Sequence, residues 1–94
     1  TNPTHIAVAL KYDPLISAAP IVLAMGERLL AQRIKEIARR AGVPVIENKP
    51  LARALLASAK VGSPIPPALY IAVAEIIAFV FRKKGSPLLA RRGR

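Results

Sequence analysis

The 94 residues are enough for one small domain and too few for two, and with 53% apolar residues the chain can build a packed core. The absence of cysteine excludes a disulfide scaffold and a thiolate metal site, and a single histidine, His5, argues against a histidine-rich one. The net charge of +10 is unevenly spread: six of the fifteen basic residues lie in 82–94 with no acid among them, leaving nine basic against five acidic residues, a balance of +4, for 1–81.

Residues 4–12 alternate, with Ile6, Val8, Leu10 and Tyr12 on one face and His5, Ala7, Ala9 and Lys11 on the other. The second face is small and half apolar, which predicts a strand covered on both sides. Asp13-Pro14 ends it, 14–19 is expected to be a loop, and Pro20 cannot donate to a central ladder. Ile21-Val22-Leu23-Ala24 reads as a second buried strand, with Gly26 as punctuation after it. From Glu27 to Ala41 the period becomes helical: Leu30, Ile34, Ile37 and Ala41 predict the buried stripe, with Arg28, Gln32, Lys35, Glu36 and Arg39 opposite. Arg39 and Arg40 suit the last turn, and Gly42 is the expected stop.

Val43–Glu47 reads as a third short strand. Asn48 and Pro50 then open a helix running to about Ala59. Gly62-Ser63-Pro64-Ile65-Pro66-Pro67 is a rigid connector, and a last helix is expected from about Pro67 to Lys83. Thirteen of the fourteen residues 68–81 are apolar, with Glu75 the one charge. That run is shorter than the ~20 residues a bilayer span requires. It predicts either burial on more than one side or an exposed docking patch. Strand–loop–strand–helix–strand–helix–helix is an α/β pattern, with a small mostly parallel or mixed sheet and helices on its faces. Residues 1–85 are expected to form the domain and 86–94 a basic, flexible tail. The N-terminus carries no charged-then-apolar leader, and Thr1 in place of Met points to a processed product or a piece of a longer chain.

The candidate chemistry lies at Asn2-Pro3-Thr4-His5. An asparagine ordinarily degrades when the next backbone nitrogen attacks its side chain, but proline has no N–H and closes that route. The Asn2 carboxamide nitrogen can instead attack its own main-chain carbonyl, forming a succinimide and releasing Pro3 as a new N-terminus. An amide nitrogen is a weak nucleophile, so the fold must hold it in place, which can supply on the order of 7–11 kcal/mol. Proline restricts the residue before it to extended conformations, narrowing that search. Histidine is the side-chain type suited to moving protons near neutrality, and His5 could polarise or shuttle them, while Thr4 could hydrogen-bond the turn. The plainer reading of the same residues is a loop with a packed histidine beside a strand.

The run Asn2-Pro3-Thr4-His5-Ile6-Ala7-Val8-Ala9-Leu10-Lys11-Tyr12-Asp13, with Ala19-Pro20, Gly26, Arg33–Ala38, Val43–Asn48, Pro50–Leu55, Ile65-Pro66 and Leu69-Tyr70 through Ala72–Glu75, resembles the cytoplasmic domain of the FlhB/YscU/SpaS family of type III secretion export-switch proteins. The Ala-Leu-Lys-Tyr-Asp stretch and the Leu-Tyr…Ala-Val-Ala-Glu stretch favour its flagellar branch. The resemblance implies about four strands and about four helices in the full domain, following a four-helix membrane portion at the cytoplasmic face of the bacterial inner membrane. It implies self-cleavage between Asn2 and Pro3, with Thr4 and His5 completing the motif, and fragments that stay associated. It also implies a change of export substrates, from rod and hook type to filament type. The implied partners are those substrates, the large gate protein FlhA, other apparatus subunits and the domain's own N-terminal fragment, with no ligand, metal, cofactor or nucleic acid. Substrate docking is implied at Ala19, Pro20, Ala74 and Ile77, where Ile77 is a conservative replacement. One departure is that only Thr1 precedes Asn2, whereas the family has a strand there.

A single-turnover scission is not an enzyme in the catalytic-cycle sense, and no carboxylate pair, glycine-rich phosphate loop or Ser-His-Asp set suggests one. The alternative is a small basic nucleic-acid-binding module, motivated by the charge. Its weakness is that the charge gathers in the tail and that four aromatic residues, none of them Trp, make a poor stacking platform.

Overall fold

The computed structural model describes residues 5–15 and 18–84. Its first strand, β1 (Ile6–Lys11), is buried from Ile6 to Leu10. This follows from the alternation of large and small apolar residues, which lets helices cover both of its sides. Strand β2 (Ile21–Glu27) and the two-residue β3 (Val45–Ile46) flank β1 in the order β2-β1-β3. Both pairings are antiparallel, with Val8 opposite Met25 on one side and Ile46 on the other.

The α/β class is as expected, but the parallel pairing is not. The crossover through α1 (Arg28–Ala41) does give β2 and β3 one direction, yet β1 lies between them, so every hydrogen-bonded pair among the described residues runs antiparallel. Sequence order shows that crossover and does not show the strand inserted within it.

Strand β2 continues through Gly26, past its expected end at Ala24. Gly26 pairs with Ala7 inside the ladder, and a Cβ there would overlap the Leu30 side chain, so close approach and not chain reversal explains this glycine. A bulge at Leu23 interrupts the register between Ala9 and Leu10. The strand turns into α1 at one residue, Arg28, whose φ is +58°. Gly42 closes the helix in the left-handed conformation, its amide donating to the Ala38 and Arg39 carbonyls.

The stripe predicted for α1 is displaced. Ala31, Ile34 and Ala38 are buried, whereas Leu30 and Ile37 are 55% and 58% exposed and Ala41 is exposed. Across the interface Ala7 and Ala9 of β1 form a shallow surface, against which Ala31 and Ile34 of α1 sit.

The other side of β1 is deeper. Ile6, Val8 and Leu10 meet Leu51, Ala52 and Leu55 of α2 (Lys49–Ser58), then Ile65, and Val73 and Ile77 of α3 (Tyr70–Lys84). Helix α2 starts as expected, with Asn48 Oδ1 accepting from the Leu51 amide at 3.0 Å and Pro50 in the first turn. The connector is fastened to the entry of β2: the Val22 amide donates to Ser63 O at 3.0 Å, Gly62 donates to Val22 O at 2.7 Å, and Ile65 donates to Pro20 O at 3.0 Å. A 3₁₀ turn, Pro67–Leu69, then leads into α3.

Over residues 70–78, helix α3 buries one narrow stripe, Val73 and Ile77, with Ile76 and Ala78 half-buried beside it. Tyr70, Ile71, Ala72 and Ala74 are exposed, and Ile71 is 77% so. No described helix is long and apolar enough to cross a membrane.

Candidate functional site

His5 lies immediately before β1, its residue exposed, and its carbonyl accepts from the Arg28 amide at 2.8 Å. That bond extends the β1–β2 ladder one step beyond Ile6 opposite Glu27, so the start of β1 is tied to the corner where β2 becomes α1. Asn2, Pro3 and Thr4 lie outside the described residues. Arg28 was not foreseen at this end of the molecule, because an arginine carries no sequence signal for a left-handed backbone.

The expected docking residues divide. Ala19 and Pro20 are buried where the chain enters β2. Ile77 is 2% exposed, in the same core cluster as Ala19. Ala74, on the outward side of α3, is exposed. The four therefore do not make one exposed patch: three lie within the core or its margin, and the accessible apolar surface nearby belongs to Ala74, Ile71 and Ala72.

The described core holds no buried polar or charged side chain. No group of three or more His, Cys, Asp or Glu among the described residues is placed to hold a metal. Among the described residues, an ion pair joins Lys35 Nζ to Glu47 Oε1 at 3.4 Å, linking α1 to the residue after β3 across partly solvated surface.

A central hydrophobic strand flanked antiparallel on both sides, with helices on either face and the Asn2-Pro3-Thr4-His5 run just ahead of it in sequence, defines a class that the comparisons identify. The model of the FlhB HrpN YscU SpaS family matches residues 1–80, and the chain belongs to that family. Among its relatives, the flagellar biosynthetic protein FlhB of Aquifex aeolicus is 54% identical over 84 residues, covering 89% of this chain and 24% of the relative. FlhB of Salmonella typhimurium is 51% identical over 84 residues, covering 89% and 22%. The chain thus spans about a quarter of the length of the curated relatives it matches. Among solved structures, the PscU C-terminal domain superposes with a TM-score of 0.74 at 37% identity, covering 83% of this chain and 99% of that one. The cytoplasmic domain of FlhB from Shewanella putrefaciens gives 0.72 at 44% identity, covering 82% and 64%.

Proposed function

We propose that this chain is the cytoplasmic switch domain of a flagellar type III export component and that it cuts its own backbone once, between Asn2 and Pro3. The observation that carries the reading is that the family match begins at residue 1 and so includes the whole Asn2-Pro3-Thr4-His5 motif. In the proposed step, Asn2 Nδ2 attacks the Asn2 carbonyl carbon. The new C–N bond closes a succinimide and the bond to the Pro3 nitrogen breaks. One proton leaves the attacking amide and one arrives at the departing proline nitrogen, so the reaction is balanced without an outside reagent. His5, at the exposed start of β1 with its main chain fixed by Arg28, suits relaying that proton through solvent, and Thr4 suits bracing the turn.

The switch operates at the cytoplasmic face of the bacterial inner membrane, where the parent protein changes from rod- and hook-type to filament-type substrates. FlhA, other apparatus subunits and the N-terminal fragment are its partners. Early substrates dock on the α3 side: Ala74 offers contact, while Ala19, Pro20 and Ile77 support that surface from within.

The test is the parent protein incubated at neutral pH and followed by mass spectrometry. A fragment beginning at Pro3 is expected from the natural sequence, and none from Asn2→Ala. An uncut natural chain, or unchanged cutting in the variant, would overturn the scission reading.

A further inference from the structure

The displaced packing of α1 leaves a surface that the switch reading does not use. Leu30, Arg33, Ile37 and Arg40 are spaced by 3, 4 and 3 residues, so they form one stripe along the helix, alternating aliphatic and guanidinium. All four are exposed, and Leu29, 78% exposed, flanks them. Helix α1 carries five basic residues (Arg28, Arg33, Lys35, Arg39, Arg40) against one acid, Glu36, a balance of +4. Of the five, Lys35 is the one in an ion pair, and its partner Glu47 lies off the helix.

We infer that this outward face of α1 is a docking surface for an acidic phospholipid bilayer. The charge calls for an anionic partner, and the arrangement indicates which kind. Arg33 sits between Leu30 and Ile37, so a rigid protein covering the two aliphatics would also strip water from that guanidinium and would need a carboxylate matched to it. A lipid surface makes no such demand. The aliphatic side chains and arginine stems enter the layer between headgroups and acyl chains, while the guanidinium groups reach lipid phosphates. The remaining basic charge of the chain adds long-range attraction to the same surface. This inference is independent of whether Asn2–Pro3 is cut.

The chain contains no tryptophan, so Ile37→Trp places a single reporter on the stripe. With vesicles of one part phosphatidylglycerol to two parts phosphatidylcholine, its fluorescence is expected to shift to the blue. With pure phosphatidylcholine it should stay in place. In co-sedimentation with the mixed vesicles, Arg33→Gln/Arg40→Gln and Leu29→Gln/Ile37→Gln should each bind at least about tenfold more weakly than the natural chain. Circular dichroism should show the natural fold, because these side chains contribute nothing to the core. Several results would overturn the inference: no binding by the natural chain, equal binding to neutral vesicles, or an unmoved tryptophan on bound protein. The last would mean that the C-terminal basic residues alone hold the vesicle. Undiminished binding by a folded Arg33/Arg40 variant, or tighter capture of an acidic amphipathic peptide than of vesicles, would also do so.

Discussion

The two faces of β1 meet their helices in different ways. Toward α2 and α3 the strand presents Ile6, Val8 and Leu10, and the packing is an interlock of large side chains that includes Leu55, Ile65, Val73 and Ile77. Toward α1 it presents Ala7 and Ala9, and the helix contributes Ala31 and Ile34 to a smaller cluster. A deep face draws large residues inward. The shallower face takes Ile34 among the large apolar residues of α1, while Leu29, Leu30 and Ile37 remain largely exposed. Residue size on a single strand thus sets how deep a core each of its faces builds.

The sharpest way to break this contrast is Leu10→Ala. Leu10 is fully buried on the interlocked face, and truncation there should cost about 2–5 kcal/mol, read from the urea midpoint by circular dichroism. A loss under about 1 kcal/mol would mean that this face is no better filled than the other. On the shallow face the informative change is enlargement. Ala9→Leu should destabilise by about 1–3 kcal/mol by lifting α1 off the sheet, and tolerance of the larger residue would show unfilled space where close contact is described. The smallest effect sharpens the comparison from the corner. Arg28→Gly removes the cost of a left-handed backbone at a residue with a Cβ and should stabilise by about 1 kcal/mol, provided the alanine layer alone holds α1 in its seat. A loss of stability there would show that the arginine's stiffness is part of what fixes the helix.

Much of the molecule was legible in its residues. Period-two alternation predicted β1, Asn48 with Pro50 predicted the start of α2, and Gly42 predicted the end of α1, because each is a local signal acting on its own neighbours. The α1 stripe was misread for a non-local reason. A helical wheel ranks Leu30 and Ile37 above Ala31 and Ala38, and only the size of Ala7 and Ala9 across the interface reverses that order. The pairing of β3 with β1, and not β2, likewise depends on partners distant in sequence. At the candidate site the motif itself is plain in the sequence, while the tie from Arg28 to His5 depends on one backbone torsion that an arginine does not advertise. The docking residues were expected as a surface, but Ile77 lies on the same buried side of α3 as Val73, and Ala19 and Pro20 are buried at the entry of β2.

The passage from β2 to α1 through Arg28 leaves that corner with no slack. One residue inserted between Glu27 and Leu29 would rotate the helix by about 100° against the sheet, turning Ala31 and Ala38 away and driving bulkier groups onto the alanine layer. Natural variation in chain length should therefore be absent at this corner and should collect in the stretch joining β1 to β2, where an added residue changes no helix's orientation.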